Sequence, residues 1–217
     1  MVVFFDLDGT LSDPAVGITE SIRHALKGLG APVPEQHELH WCIGPSLRES
    51  FMKLLDGDAA GAEEGIRLYR ERFSAVGMYE NIVYDGVPEM LDGLRAAGFT
   101  LYVATSKPQV YAEKILDYFG LTSRFCRVFG PDLNGKRSEK AELLSYGIKE
   151  GGLDRKGCWM VGDRLFDIVG ARACGLRNIG VLYGYGSRKE LSEAGADYLA
   201  ERPGDVYEII IKESGGA

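Results

Sequence analysis

The chain has 217 residues, 45% hydrophobic and 26% charged, which suits a globular protein of one large domain or two modest ones. Its 32 acidic against 25 basic side chains give a net charge of −7, which argues against a nucleic-acid polymer or an anionic membrane as partner. No stretch has membrane-spanning length, and the first apolar run is too short and lacks the basic start of a signal peptide. The four cysteines, Cys42, Cys126, Cys158 and Cys174, show no CxxC spacing. They are expected to be reduced thiols of a cytoplasmic protein, with Cys126 and Cys158 in the core because their neighbours are apolar.

Val2-Val3-Phe4-Phe5 reads as a buried strand, and it runs straight into Asp6-Leu7-Asp8-Gly9. Two carboxylates two residues apart project to one side of an extended chain. Such like charges persist if a cation sits between them or one carboxyl keeps its proton. After the break at Ser12-Asp13-Pro14, a helix fits Ala15 to Leu29, with Ile18, Ile22, Ala25, Leu26 and Leu29 on one stripe. A short helix follows Pro34, and residues 41–46 form a loop. Ser46 or Pro45 opens a helix running through Phe51 to Leu55. Ala62, Ile66, Tyr69, Phe73 and Val76 then mark a longer amphipathic helix. Between residue 15 and about 78 no strand is expected.

Glu80 to Gly86 carries the chain back, and Val87 to Ala97 is helical. From Phe99 the pattern alternates. Strands are expected at 99–105, 125–129, 158–161, 178–182 and 197–199. Helices are expected at 109–119, 138–149, 165–174, 188–194 and 206–211. Alternation of this kind implies an α/β fold with a parallel, doubly wound sheet and right-handed crossovers. The economical division is an α/β core of residues 1–13 and 84–217, with a helical domain of residues 14–83 inserted after the first strand.

In an open parallel sheet, ligands bind beyond the carboxyl ends of the strands. There the sequence puts Asp6 and Asp8, then Thr105-Ser106-Lys107-Pro108, then a lysine (Lys136 or Lys140) by the following helix, then Asp163 and Asp167. Each has a plain structural reading as turn, cap or solvated residue. Four strand ends in one sheet supplying carboxylates, a hydroxyl and a lysine point instead to chemistry. Ligands that are all carboxylate oxygens favour Mg²⁺, and a metal, a lysine and a hydroxyl together suit phosphoryl transfer.

These residues resemble the haloacid dehalogenase-like hydrolase superfamily, all of whose four sequence motifs occur in order. Asp13-Pro14, Ile43-Gly44-Pro45, Glu80-Asn81, Tyr84-Asp85-Gly86-Val87 and Ala104-Thr105-Ser106-Lys107-Pro108 look like its phosphoglycolate phosphatase branch, which includes 5′-nucleotidases. The resemblance implies a Rossmann-like core with a small α-helical cap, and a Mg²⁺-dependent phosphatase acting on a small phosphorylated metabolite. It implies Asp6 as nucleophile and Asp8 as acid and base. Thr105, Ser106 and Lys140 would hold phosphate. Asp6, Asp8 (through its carbonyl), Asp163 and Asp167 would hold the metal. Gly44 and Arg48 in the cap would set specificity. The third motif departs from the usual Lys-Pro pair, reading Gly135-Lys136-Arg137-Ser138-Glu139-Lys140. Ser138 as N-cap favours Lys140, with Lys136 as the fallback. A phosphosugar mutase shares every core motif. Asp8 counts against a dehalogenase, and the inserted cap against a phospho-accepting signalling module. No lost motif position suggests a silent binder. His24, His37 and His40 read as ordinary cap residues.

Overall fold

The four residues of β1 (Val2–Phe5) are all buried, and the strand occupies the middle of a sheet. The computed structural model describes residues 1–134 and 136–215. In chain order, β1 is followed by β2 (Ser12–Asp13), α1 (Ala15–Gly28), α2 (Leu47–Leu54), α3 (Ala59–Ala75), β3 (Ile82–Val83) and α4 (Val87–Ala96). Then come β4 (Thr100–Ala104), α5 (Gln109–Tyr118), β5 (Arg127–Phe129), α6 (Lys140–Gly151), β6 (Cys158–Gly162) and α7 (Leu165–Ala173). The chain ends with β7 (Arg177–Val181), α8 (Arg188–Ala194), β8 (Tyr198–Ala200) and α9 (Pro203–Ser214). It divides into two compact units, Met1–Asp13 with Val83–Ala217, and Pro14–Ile82.

The first unit is α/β. Its six strands lie in the order β5-β4-β1-β6-β7-β8, every neighbouring pair parallel. The chain moves outward through β4 and β5, then returns to the other side of β1. The strand order therefore reverses between β1 and β6, the switch point where doubly wound sheets bind ligands. Register carries the pairing past the strand end, with Asp6 N–H donating to Val161 O at 2.9 Å. Alternation sorts side chains to the two faces. Phe4, Tyr102 and Phe129 stack in a row, with ring centroids 5.3 and 5.7 Å apart, and pack with Leu143, Leu144 and Ile148 of α6. Val3, Phe5, Leu101 and Val103, at the alternate positions, are equally buried.

The second unit is helical, with α1 and α2 both packed on α3. Ile18, Ile22, Ala25 and Leu26 of α1 and Ile66, Tyr69 and Phe73 of α3 form its interior. Ser46 caps α2 by accepting from Glu49 N–H at 3.3 Å, and Asp58 caps α3 by accepting from Gly61 N–H at 3.0 Å.

Four expectations are corrected. Ser138 does not cap α6. Asp132 draws in the amides of Asn134 and Lys136, and Arg137 turns with φ of 64°, so helical backbone is first reached at Lys140 and Glu139 stands at the cap. Cys126 is exposed, because β5 is a short edge strand beginning only at Arg127. Trp41 and Cys42 belong to a 3₁₀ turn over Gln36–Cys42 and not to a loop. The last helix is twice as long as expected, since Pro203 opens it and Arg202 N–H is taken up by Asp205 at 3.1 Å. Among the described residues, no helix is long and apolar enough to cross a membrane.

Candidate active site

At the carboxyl end of β1 the chain turns through Gly9, whose φ of 80° only glycine adopts freely. A side chain there would also run into the Asp163 carboxylate, so the turn needs glycine twice over. Asp6 is 6% exposed and Asp163 and Asp167 are 0% and 1% exposed, a depth at which a lone carboxylate is expensive. Each has an organised environment. Lys140, the first residue of α6, reaches back to the sheet. Its Nζ lies 2.7 Å from Asp167 Oδ1 and 3.3 Å from Asp6 Oδ1, and donates to Ala104 O at 2.8 Å. Room for its stem comes from Gly170 of α7, where a Cβ would lie 2.7 Å from Lys140 Cγ. Asp163 is held by neutral donors: Thr10 Oγ1 donates to Oδ1 at 3.3 Å and Tyr185 N–H to Oδ2 at 2.8 Å. Asp167 accepts from Arg164 N–H at 3.1 Å, at the start of α7.

The Asp8 carboxylate pairs with Lys107, Nζ to Oδ2 2.7 Å, and its Oδ1 is buried without a hydrogen bond. Thr105, 1% exposed at the end of β4, accepts from Lys107 N–H at 3.2 Å. Ser106 beside it is half-buried, and Lys136 is exposed. Gly44 and Arg48 belong to the helical unit. Gly44 has φ of 108°, and Arg48 is an exposed α2 residue ion-paired with Glu63 of α3.

Burial raises the Asp8 pKa against the opposing pull of Lys107. Burial, then Asp167 and Asp6, push Asp163 well above the ordinary carboxylate range. Burial lifts Asp167 to about 6 even beside Lys140. For Lys140 burial alone would pull the ammonium down, but Asp167 and Asp6 outweigh it and its pKa stands above the usual lysine value. Fully ionised, the four carboxylates would exceed the two ammoniums by two negative charges, and the raised pKa values of Asp8, Asp163 and Asp167 express that repulsion and their burial. Ligand atoms of Asp6, Asp163 and Asp167 lie within 4.8 Å of one another, so these three could hold a metal ion.

The structure thus brings Asp6, Asp8, Thr105, Lys140, Asp163 and Asp167 together in one unit. Lys107, Thr10 and Tyr185 were missed by sequence reasoning. Lys107 had a signal: it stands two residues beyond the Thr105 strand end, and once β4 is placed beside β1 it falls next to Asp8. Thr10 had one too, standing two residues after Asp8 in the first motif; Tyr185 had none, because it reaches Asp163 through a loop far away in sequence.

The α/β fold is shared with solved structures of similar sequence. Residues 3–181 fit the haloacid dehalogenase-like hydrolase family, and the chain belongs to it. Over 189 residues it is 46% identical to a 5′-nucleotidase of Pseudomonas aeruginosa, covering 87% of this chain and 86% of that one. It is 40% identical over 185 residues to the tyrosine-protein kinase PtkA of Mycobacterium tuberculosis, covering 85% of this chain but 63% of that one. Among solved structures, a predicted phosphatase from Clostridium acetobutylicum superposes with a TM-score of 0.94 at 40% identity, covering 97% of this chain and 98% of that one. The chain is a hydrolase of phosphoric monoesters.

Proposed function

We propose that this protein is a Mg²⁺-dependent phosphatase of small phosphorylated metabolites, of the nucleoside 5′-monophosphate or phosphoglycolate class, working through an aspartyl-phosphate on Asp6. The observation that carries the reading is the charge of the buried site. When all are ionised, Asp6, Asp8, Asp163 and Asp167 exceed Lys107 and Lys140 by two negative charges, which one divalent cation would balance. Oxygen-only donors suit Mg²⁺, which Asp6, Asp163 and Asp167 would hold, joined by the Asp8 carbonyl as the family resemblance implies. When bound it supplies positive charge to the transferring phosphoryl group. The 5′-nucleotidase likeness supports the nucleotide class.

The remaining roles fall to the chain itself. Asp6 attacks phosphorus as the bond to the leaving oxygen breaks, and Asp8 gives that oxygen its proton. Asp8 then takes a proton from water, which attacks phosphorus and frees Asp6. Thr105, Ser106 and Lys140 hold the phosphoryl oxygens, and Lys107 holds Asp8 in place. Gly44 and Arg48, in the helical unit, set the choice of substrate.

Purified protein is tested on a panel of phosphomonoesters with Mg²⁺ and after exhaustive chelation. Phosphate release that depends on the metal and disappears in Asp6→Asn is the expected result; full activity in chelator overturns the reading. The likeness to PtkA favours a second reading, transfer to a protein hydroxyl, which label held on protein in a hydroxylamine-resistant phosphoester, and not as the hydroxylamine-labile aspartyl-phosphate, would establish.

A further inference from the structure

The segment after β7, Tyr183-Gly184-Tyr185-Gly186, wraps the Asp163 end of the site. Of the four acids, Asp163 has both oxygens engaged by neutral donors, the Thr10 hydroxyl and the Tyr185 amide. Asp6 and Asp167 face Lys140, and Asp8 faces Lys107. Neutral donors orient a carboxylate without cancelling its charge, which leaves it available to a cation. Both donors are in turn tied down by a tyrosine. The Tyr183 hydroxyl donates to the carbonyl of Thr10 at 3.2 Å. The Tyr185 hydroxyl donates to the Asp13 carboxylate. Gly184 between them and Gly186 after them are forced, because a side chain at either would collide with Asp163.

We propose that Tyr185 is the positioning residue of the Asp163 carboxylate, its amide aiming Oδ2 and its phenol, bonded to Asp13, fixing that amide. The inference rests on the metal reading above and deepens it. The tyrosine touches neither substrate nor reacting atoms. It acts by keeping one metal ligand in its rotamer, as partners behind a metal ligand commonly do. Packing alone does not account for the arrangement. A phenol used only as filler does not need a carboxylate acceptor at the end of β2, and its own amide would not face the deepest acid of the site.

Metal-stripped protein is titrated with Mg²⁺ by calorimetry, and its melting temperature is measured without metal. Tyr185→Phe is expected to weaken Mg²⁺ binding about tenfold while kcat at saturating Mg²⁺ changes less than about threefold. Asp13→Ala removes the same bond from the other end and is expected to match it. Asp13→Asn keeps an acceptor oxygen and should stay within about threefold of wild type, and the double variant Tyr185→Phe/Asp13→Ala should be no weaker than either single one. If Tyr185→Phe does not fold, Asp13→Ala and Asp13→Asn carry the comparison. Lower melting temperatures with unchanged Mg²⁺ affinity would reduce the tyrosine to a structural role and overturn the proposal. Wild-type protein that binds no Mg²⁺ would overturn the metal reading itself, and the proposal with it.

Discussion

Lys140 is the side chain on which the acids of the site converge, since it bridges Asp6 and Asp167 from a position 5% exposed. Removing one partner of a buried ion pair leaves the others uncompensated, at about 3–5 kcal/mol. Lys140→Ala is therefore expected to lower kcat by about 1000-fold and to lower the melting temperature as well, whereas exposed Lys136→Ala stays within about twofold. Steady-state kinetics on both variants, normalised to folded protein, decides between the two lysines; a dead Lys136 variant would move the phosphate-holding role to it. Lys107 stands in the same relation to Asp8. Lys107→Met keeps most of the stem but strips the cation 2.7 Å from the Asp8 carboxylate. A loss of about 100-fold in kcat on an alkyl phosphate is expected, with the acyl-phosphate accumulating because Asp8 no longer serves as base. Unchanged turnover would remove Lys107 from the site.

The helices and strands that present these residues were legible in sequence to different degrees, for physical reasons. Apolar runs such as Val2–Phe5 and Cys158–Gly162 are buried on both faces of a central strand, so composition alone marks them. The Asp6, Thr105 and Asp163 strand ends followed once alternation gave the sheet. Helix starts were less legible where a cap competes with tertiary pull, as at Ser138. Edge elements were less legible still. The apolar neighbours of Cys126 suggested burial, but β5 stops short of it and leaves it exposed. That difference is measurable. Burial pushes the Cys42 and Cys158 thiols up to about 11, so their thiolate is scarce at pH 8. Iodoacetamide at pH 8 is expected to modify Cys126 at least about a hundredfold faster than Cys42 or Cys158 in native protein, and all of them alike in denaturant. Peptide mass spectrometry over a time course reads this directly, and fast native labelling of Cys158 would contradict the burial of β6.

At the scale of the whole molecule, the α/β unit keeps a charge imbalance at the centre of its sheet. Three buried carboxylates and the partly buried Asp8 share two ammoniums, and without a further cation their mutual repulsion opposes folding; the upward pKa displacement of Asp163 by burial, Asp167 and Asp6 expresses that cost. Any ion that binds only the folded state stabilises it by mass action, about 2.7 kcal/mol at a hundredfold excess over Kd. For a chain of this length each kcal/mol moves the melting temperature by about 2–4 °C, so saturating Mg²⁺ is expected to raise it by about 5–10 °C over protein in chelator. Asp163→Asn separates this from a general salt effect. The amide nearly keeps the shape of the carboxylate and an acceptor for Tyr185 N–H, yet removes one of the two excess charges. The variant is expected to melt higher than wild type in chelator, because a repulsive charge is gone, and to gain less than about 2 °C from Mg²⁺, because a ligand is gone. Differential scanning fluorimetry of the two proteins with Mg²⁺, with chelator, and with an equal ionic strength of NaCl makes the comparison. Equal Mg²⁺ shifts in both would place the cation away from the end of β6. A variant that melts lower in chelator would show that the Asp163 carboxylate, held by Thr10 and Tyr185, is a net stabiliser even without its metal.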